Sequence, residues 1–416
     1  MGDVRDVEIA RVGAQGDGLV IGGDGPLYVP FTLAGERVRI EVTGAVAKMI
    51  EILEPSHDRI TPVCQHFGRC GGCALQHMAP PAYLSWKHDQ VVAAFKARGF
   101  DVTIDAVIPA RGLRRRATFS AHHDQHRVRL GFHASGTHDL IDVIECPVLD
   151  SRIVAALPAI RRMIDPLMPK RENVRISATM MTSGIDVAVE GIRRTLTADV
   201  RTRLARDAAE LHLARVSVDG DTVYEVLPAS LEFGSAEVVI PAQMFIQAVR
   251  EAEQDMAAII LAAVGKAKRV VDLFSGVGAF TFPLGRAAKV TAFDSDARAI
   301  GALNAAVKRA SGLKPISAHV RDLFREPLSA VELNDFDAIV FDPPRAGAEA
   351  QSRMIAKSKV KTVVAVSCNP ATLARDARIL VDGGYTMTDV TPIDQFRYSP
   401  HIEAVGVFRR EKPERL

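Results

Sequence analysis

The alternation of apolar and polar residues near the start of the chain predicts a small all-β unit. Such alternation, interrupted by glycine turns, is typical of strands with one buried face. Five runs in roughly the first 56 residues show it: Val7-Glu-Ile-Ala, Gly16-Asp-Gly-Leu-Val-Ile, Pro26-Leu-Tyr-Val-Pro, Arg37-Val-Arg-Ile-Glu-Val and Ala47-Lys-Met-Ile-Glu-Ile. We expect a barrel of the oligonucleotide-binding type, although this strand spacing also fits other small barrels.

The pattern changes between Cys64 and Ala79, where cysteine, glycine and histidine are frequent and no periodicity is present. A segment of this kind predicts a loop held by a metal centre. Helical spacing of apolar residues then predicts a helix from Tyr83 to Gly99 and another near Ile153 to Ile164, with strand-like runs between them.

Strands and helices alternate from Val270 onward, which predicts a doubly wound parallel sheet. The strand-like runs are Arg269-Val-Val-Asp-Leu-Phe, Lys289-Val-Thr-Ala-Phe-Asp, Ala338-Ile-Val-Phe-Asp and Thr362-Val-Val-Ala-Val-Ser. Ligands bind such sheets at the carboxyl ends of the strands. The residues at or near those ends are therefore the first candidates for a functional site: Asp272, Asp294, Asp342 and Cys368.

Composition and charge limit the number of domains and the kinds of partner that we expect. The chain has 416 residues, of which 48% are hydrophobic and 25% charged, so we expect two or three globular domains. The longest apolar stretch, Met256 to Val264, fits a buried helix and is too short to cross a membrane. The start of the chain lacks the features of an export signal, which predicts a cytosolic protein. The formal net charge of +2 restricts any nucleic-acid site to a local patch.

The loop after the first strand of the predicted sheet is a candidate cofactor site. Gly276 and Gly278 would let a nucleoside approach the backbone, but Thr281 stands where a dinucleotide-binding fingerprint needs a third glycine. Asp294 has the spacing of a carboxylate that holds ribose hydroxyls. This combination favours S-adenosylmethionine, which has no phosphate to cradle, over NAD. A nucleotide-dependent oxidoreductase with an iron-sulfur centre is the competing interpretation.

Cys368 is a candidate nucleophile. It ends a strand directly before Asn369 and Pro370, which have the character of an N-cap and a first helical residue. A thiol at a helix N-terminus is expected to have a lowered pKa, as a nucleophile requires. The alternative is an inert core cysteine. Two prolines after Asp342 predict a rigid loop that displays this carboxylate and Arg345. Glu403 stands near the start of the last predicted strand, Ile402-Glu-Ala-Val-Gly-Val-Phe, and its spacing alone assigns it no role.

Four segments together resemble the RNA uridine-5-methyltransferases: Gly276-Val-Gly, Asp342-Pro-Pro-Arg, Ser367-Cys-Asn-Pro-Ala-Thr-Leu-Ala-Arg-Asp and His401-Ile-Glu. The resemblance covers nearly the whole chain and implies an α/β plus β architecture in three parts. These are a TRAM-like oligonucleotide-binding barrel at 1–58, a central domain with an iron-sulfur cluster and an RNA-binding surface at 59–236, and a Rossmann-like class I methyltransferase domain at 237–416.

The resemblance also implies roles for individual residues. Cys368 would be the nucleophile and Glu403 the base that takes the C5 proton. Residues implied to line the cofactor and uracil pocket are Gln247, Phe274, Asp294, Asp322 and Asp342. Thiolate chemistry suits this reaction, because C5 of uracil is a poor nucleophile until a group adds to C6. The branch most similar to this chain methylates 23S ribosomal RNA. Transfer RNA is the alternative substrate.

Four cysteines remain beside Cys368: Cys64, Cys70, Cys73 and Cys146. Four thiolates suit a [4Fe-4S] cluster or a zinc ion, and His66 and His77 are near enough in sequence to act as zinc ligands. The resemblance, and not the spacing, implies the cluster, for which we expect a structural role because methyl transfer needs no electron.

An arginine- and histidine-rich stretch is the candidate RNA-binding surface, with a solvated face as the alternative. It comprises Arg111, Arg114, Arg115, Arg116, His122, His123, His126, Arg127 and Arg129. Phe245 would either stack on an extruded uracil or belong to the core. RNA is the only partner that the sequence indicates, with no membrane and no obligate protein partner. A noncatalytic RNA-binding assembly factor is a further alternative, against which the set of Cys368, Asp342 and Glu403 speaks.

Overall fold

A computed structural model describes residues 2–21, 25–124, 127–168 and 173–410. The first part contains six strands in two antiparallel sheets, with the strand orders β1-β5-β6 and β2-β3-β4. These strands are β1 (Asp3–Glu8), β2 (Arg11–Val12), β3 (Gly18–Val20), β4 (Leu27–Val29), β5 (Arg37–Thr43) and β6 (Val46–Glu54). The sequence predicted five strands; the first predicted run lies at the break between β1 and β2.

Alternating side chains from these strands form one small core. In β5, Val38 and Ile40 are fully buried while the arginines beside them are not. Ile9, Val29 and Ala47 complete the buried cluster. The predicted alternation is therefore confirmed, because a strand sends successive side chains to opposite faces.

The cysteine-rich segment is a loop, as predicted, and it leads directly into helix α1 (Pro80–Lys96). Pro80 occupies the first turn, where the missing N–H of proline costs no hydrogen bond. The chain turns away shortly after the helix at Gly99, whose φ of 72° lies in the left-handed region.

The central part is a seven-stranded sheet in the order β13-β12-β11-β10-β7-β8-β9. Its elements are β7 (Arg116–His123), β8 (Val128–His133), β9 (Leu140–Asp142), α2 (Ser151–Ile164), β10 (Val174–Met181), β11 (Gly184–Glu190), α3 (Ala198–Glu210), β12 (Arg215–Val218) and β13 (Asp221–Glu225). Helices α2 and α3 pack against one face and share a core with it. The predicted helix at Ile153 to Ile164 is thereby confirmed.

A hairpin and a helix precede the last sheet: β14 (Ser230–Phe233), β15 (Ala236–Val239) and α4 (Arg250–Val264). The sheet itself has seven strands in the order β18-β17-β16-β19-β20-β22-β21. Its elements are β16 (Arg269–Leu273), α5 (Thr281–Gly285), β17 (Lys289–Asp294), α6 (Ala297–Arg309), β18 (Ile316–Val320), α7 (Ala330–Leu333), β19 (Ala338–Phe341), α8 (Glu349–Lys357), β20 (Thr362–Ser367), α9 (Pro370–Asp382), β21 (Thr386–Ile393) and β22 (Glu403–Arg409).

Five strands of this sheet are parallel, as predicted, and the other two are antiparallel additions at one side. The sequence predicted the strand at β22 but not its antiparallel direction, and it did not single out β21. Ser367, which ends β20, pairs with Ala404 near the start of β22. Because β22 runs antiparallel to β20, its first residue, Glu403, lies at the edge where β20 ends. Among the described residues, no helix combines the length and hydrophobicity needed to cross a membrane.

Candidate active site and cysteine cavity

Cys368 follows β20 directly and is half-buried. The Asn369 side chain caps helix α9 by accepting the Ala371 N–H at 3.1 Å, and Pro370 is the first helical residue. The predicted N-cap and the position of the thiol at a helix N-terminus are both confirmed.

The expectation of a lowered pKa at Cys368 is wrong for the protein without ligands. Burial, with a smaller contribution from the nearby carboxylates of Glu403 and Asp342, raises the pKa of the thiol to about 11. The Arg345 guanidinium opposes them. A helix N-terminus carries only about half a positive charge, so it does not outweigh desolvation together with two carboxylates.

Two carboxylates lie close to the thiol and are joined by two glutamine side chains. Gln247 donates from Nε2 to Asp342 Oδ2 at 2.9 Å. Gln395 donates from Nε2 both to Gln247 Oε1 at 2.9 Å and to Glu403 Oε1 at 3.0 Å. Both glutamines and Glu403 are buried. The structure therefore brings together Cys368, Glu403, Asp342 and Gln247, all of which the sequence singled out.

Burial raises the pKa values of Asp342 and Glu403, and the charge of Asp342 raises that of Glu403 further. The hydrogen bonds from Gln247 and Gln395 oppose burial, because they favour the charged carboxylates. A carboxylate with a raised pKa is a stronger base, so this environment suits a group that must remove a proton near neutral pH.

Gln395 was missed by sequence reasoning. It lies in the loop between β21 and β22, and its Oε1 also accepts the Val249 N–H at 3.2 Å. The only signal in the sequence is a pair of polar residues, Asp394 and Gln395, directly after the apolar end of a strand. That signal is also typical of an ordinary turn.

The candidate cofactor loop follows β16 at the same edge of the sheet. Gly276 and Gly278 have φ of 53° and 100°, and a Cβ on Gly278 would come within 2.7 Å of the Phe282 ring. Asp294 Oδ2 accepts the Gly276 N–H and its Oδ1 accepts the Asp296 N–H, both at 2.8 Å. Asp296, and not Asp294, caps the following helix α6. The carboxylate of Asp294 is thus fixed at the loop, with lone pairs left for a ligand.

Phe274 and Asp322 come after β16 and β18, which lie on either side of β17 in the sheet. Phe274 follows β16 with a φ of 61°, and its ring lies 5.4 Å from that of Phe324. Asp322 Oδ1 accepts the backbone N–H groups of Phe324 and Arg325 at 3.0 and 3.3 Å. Asp322 therefore acts at least as a turn residue.

Asp272 is the strand-end candidate to which no role was given. It is buried, and Thr281 Oγ1 donates to its Oδ2 at 2.5 Å. Burial raises its pKa to about 7, with the charges of Asp342 and Asp294 adding to the effect. Thr281, which stands where a dinucleotide fingerprint needs glycine, thus packs inward against this acid.

A second cluster surrounds a cavity of about 310 Å³ between the cysteine loop and the central sheet. All four remaining cysteines line it: Cys64, Cys70, Cys73 and Cys146. His66 lines it as well, but its Nε2 accepts the Ile144 N–H at 3.2 Å. His77 is absent from the lining; its ring is buried 5.3 Å from that of Phe67.

The four thiols share this cavity, yet no three Cys, His, Asp or Glu side chains in the described parts of the chain are grouped closely enough to hold a single metal ion. Tetrahedral zinc with Zn–S bonds of about 2.3 Å needs thiolates about 3.8 Å apart. The donor set is all thiol, which is the kind that a [4Fe-4S] cluster requires.

The predicted RNA-binding surface needs a correction at Arg115, which is buried and does not reach solvent. Its Nη2 donates to Glu253 Oε2 at 2.5 Å and its Nε to the Gln247 carbonyl at 2.9 Å. Arg115 therefore joins the central part to α4. Because β7 directs its odd-numbered side chains into the core, a continuous basic run in sequence cannot all face solvent.

Arg116 has a different environment. Its guanidinium lies 5.0 Å from the centre of the Phe245 ring, and Phe245 is 65% exposed. The core alternative for Phe245 is thereby excluded. Several other basic residues of the run are engaged within the protein: Arg111 with Asp255, Arg127 with Asp142, Arg129 with the Leu140 carbonyl and His123 with Asp165. His126 lies outside the described residues.

A parallel sheet extended by two antiparallel strands, with a glycine loop and a carboxylate at its ligand edge, defines a class I S-adenosylmethionine-dependent methyltransferase. A solved structure supports this fold over the full length: a tRNA (uracil-54, C5)-methyltransferase of Pyrococcus abyssi in complex with S-adenosyl-L-homocysteine. Its TM-score is 0.77 at 22% identity, with 97% of this chain and 99% of that one covered.

The particular family follows from sequence. The family model for tRNA (uracil-5-)-methyltransferases matches residues 199–412, so the chain belongs to that family. It is 45% identical to an RNA methyltransferase of Caulobacter vibrioides, over 98% of this chain and 100% of that protein. It is 29% identical to a 23S rRNA (uracil(1939)-C(5))-methyltransferase of Vibrio vulnificus, over 98% and 96% of the two chains. The protein is an RNA (uracil-C5)-methyltransferase that uses S-adenosylmethionine.

Proposed function

We propose that this enzyme methylates C5 of a uridine in 23S ribosomal RNA through a covalent adduct between Cys368 and C6 of the base. The observation that carries the mechanism is the placement of a half-buried thiol and a buried carboxylate, Glu403, at one edge of the sheet. They stand at the end of β20 and at the start of its antiparallel neighbour β22.

Sequence similarity over the full chain supports the ribosomal substrate. The match to the Vibrio vulnificus enzyme includes the N-terminal strands and the cysteine loop. Transfer RNA is the second candidate, because the Pyrococcus abyssi neighbour, named for a tRNA uracil, has the same fold at 22% identity. Since 22% identity supports only the fold, the ribosomal substrate is the better-supported proposal.

In the proposed reaction, Cys368 Sγ forms a bond to C6, and the electron pair of the C5=C6 double bond moves toward C5 and O4. S-adenosylmethionine would supply the methyl group to the electron-rich C5, with the methyl–sulfur bond breaking and its electron pair leaving on the sulfur of S-adenosylhomocysteine. Glu403 then takes the remaining C5 proton. The C–H electron pair restores the C5=C6 bond as the C6–S bond breaks, and Cys368 leaves as a thiolate.

We assign the base to Glu403 rather than to Asp342 because of their surroundings. Glu403 is 4% exposed, and its pKa is raised both by burial and by the charge of Asp342. Asp342 is tied by Gln247 and lies on the loop that also carries Arg345. Gln247 and Asp342 are therefore proposed to orient the uracil, and Phe274, Asp294 and Asp322 to hold the methyl donor.

The other proposed parts lie outside the methyltransferase sheet. Cys64, Cys70, Cys73 and Cys146 would hold a [4Fe-4S] cluster with a structural role, and the strands up to β6 would be a TRAM barrel. The domains would be 1–58, 59–236 and 237–416. Phe245 would stack on RNA, supported by its exposure and by Arg116 beside its ring.

Two variants test the chemistry by where the reaction stops. Cys368→Ala lacks the nucleophile, so it should form neither product nor adduct. Glu403→Gln keeps the shape of the side chain but loses its basicity, so adduct formation and methylation should proceed while release of the cysteine stalls. The measurement is a denaturing gel with 23S rRNA and a labelled methyl donor, on which Glu403→Gln should show a labelled protein–RNA conjugate.

Wild-type enzyme with 5-fluorouridine at the target is the positive control, because the base cannot remove fluorine and the conjugate persists. Normal turnover by Glu403→Gln without conjugate would exclude Glu403 as the base and make Asp342 the next candidate. Methylation of unmodified tRNA but not of unmodified 23S rRNA would overturn the proposed substrate.

A further inference from the structure

Lys87 in helix α1 is fully buried, and the proposed chemistry gives it no role. A buried ammonium is costly unless it is paired and hydrogen-bonded. Its Nζ donates to Asp394 Oδ1 at 3.1 Å, to the Phe396 carbonyl at 3.5 Å and to the His401 carbonyl. All three acceptors belong to the loop between β21 and β22, the loop that ends at Glu403.

The same face of α1 contacts this loop a second time. Tyr83, one helical turn before Lys87, donates from its hydroxyl to Asp394 Oδ2 at 2.8 Å. The Tyr83 hydroxyl in turn accepts the Tyr398 N–H at 2.9 Å. Residues four apart on a helix lie on one face, so the two side chains hold both oxygens of Asp394 from the same side.

We propose that Lys87 is a positioning residue for Glu403: its ammonium ties the beginning of the 394–402 loop to its end and thereby fixes the carboxylate that follows. The acceptors Asp394 and His401 lie near the two ends of the loop, and Glu403 is two residues beyond His401. Gln395, next to Asp394, donates to Glu403 itself. This inference rests on the proposed role of Glu403 as the base.

The positive charge of Lys87 also acts on the pKa of Glu403. The groups that act on the pKa of Glu403 are Asp342 after β19, Gln395 in the loop and Lys87 on α1, and the Cys368 thiol after β20 interacts with it as well. Asp342 raises the pKa of Glu403, whereas Lys87 lowers it. Lys87 itself is influenced by Asp394, Arg114 and Glu403, and burial lowers its pKa to about 8. Removing the ammonium should therefore raise the pKa of Glu403, and the base would ionise only at higher pH.

The test uses Lys87→Met, which keeps the length of the side chain and removes the charge. The conjugate is formed with 23S rRNA in a single turnover, and its formation and breakdown are followed on denaturing gels as a function of pH. Breakdown should slow by about 10–100-fold, because small misplacement of a catalytic group has costs of this size. Formation should change by less than about threefold, and the pH midpoint of breakdown should rise by about one unit.

Tyr83→Phe is the matched control, because it removes one hydrogen bond from Asp394 and leaves the ammonium in place. It should leave the pH midpoint of breakdown unchanged. If Lys87→Met does not fold, Lys87→Met/Asp394→Asn removes both charges together and should show the same upward shift.

The inference is overturned if the folded Lys87 variant slows formation and breakdown equally, or if its midpoint stays at the wild-type pH. Glu403→Gln in the same assay separates this failure from a failure of the proposed function. A conjugate in Glu403→Gln but none in the Lys87 variant retains Glu403 as the base and rejects Lys87. No conjugate in Glu403→Gln rejects the base itself.

Discussion

The two clusters of reactive side chains in this enzyme are built in different ways. Cys368 and Glu403 stand at the ends of adjacent strands, where the β20–β22 ladder holds them in register. Three of the cavity cysteines come from one loop without helix or strand, and Cys146 comes from a distant turn after β9. The strand-end site is therefore held by paired strands, whereas the cysteine cavity is formed by loop segments.

The two clusters are also physically connected. The 394–402 loop places Gln395 and Phe396 in the lining of the cysteine cavity, while Gln395 holds Glu403 on its other side. The backbone N–H groups of Ala74 and Leu75 both donate to the Tyr398 carbonyl, at 2.8 and 3.1 Å. We therefore expect a change in the cysteine loop to affect Glu403, which the 394–402 loop contacts through Gln395, more directly than Cys368, which follows β20.

Removal of the Cys368 thiol should have the largest effect, which we expect on activity and not on stability. We expect Cys368→Ala to lose at least about 10⁴-fold in methylation rate, since no other group can add to C6. Its thermal unfolding should stay close to that of wild type, because the side chain is half-buried and the sheet holds the site. Methyl transfer to 23S rRNA and a melting curve measure the two effects; residual activity within 100-fold of wild type would contradict the assignment.

Removal of a cavity cysteine should show the opposite pattern. We expect anaerobically purified Cys73→Ser to lose brown colour and iron, and to be destabilised by more than about 4 kcal/mol, in the range of a lost metal centre. Iron analysis, absorption spectra and denaturant unfolding provide the measurements. Cys368→Ser is the matched control and should retain iron. Stoichiometric zinc without iron in the wild-type protein would contradict the cluster.

Substitutions of the adjacent residues Arg115 and Arg116 should have different effects, one mainly on stability and the other mainly on RNA binding. Arg115→Ala leaves Glu253 buried without its partner, so we expect a loss of about 3–5 kcal/mol in unfolding free energy. Arg116→Ala should keep most of the stability but weaken RNA binding and reduce the slope of log affinity against log salt by about 1. Binding at several salt concentrations and denaturant unfolding distinguish them. Equal salt slopes in Arg116→Ala and wild type would return Arg116 to the solvated-face interpretation.

The pH dependence of conjugate formation should give the smallest effect. Only the ionised thiol adds to C6, and the pKa of Cys368 is raised to about 11. The ionised fraction, and with it the formation rate, should rise about tenfold per pH unit below the pKa, until another step becomes limiting. Arg345→Gln should lower the rate at each pH, because the guanidinium opposes the rise in pKa. A formation rate independent of pH would contradict this prediction and show that RNA or cofactor binding lowers the pKa of the Cys368 thiol.

Much of the methyltransferase sheet was predictable, because its parallel strands are continuous apolar runs and its ligand edge follows from topology. The positions of Cys368, Asn369 and Pro370 followed from local rules of helix capping. The last strand, β22, was predicted, but its antiparallel direction and the edge strand β21 were not, since pairing direction is set by contacts distant in sequence. The role of Gln395 depended on that pairing and was missed with it.

The basic stretch shows a property that the sequence did not predict, namely which of its side chains face solvent. Charge density along the chain favoured one RNA-binding run, yet Arg115 and Arg116 face different environments. A strand alternates its side chains between two faces, and only the packing of α4 against the central part decides which face is buried.

Local periodicity, composition and motifs were enough to identify the cysteines and carboxylates that are candidates for chemistry, and most of the strands and helices of the last sheet. Contacts between segments distant in sequence place Glu403 beside Cys368, join two buried acids through Gln247 and Gln395, and let Lys87 hold the loop before Glu403. Desolvation and charge act through space, so the pKa of the Cys368 thiol also depended on which acids the fold placed beside it.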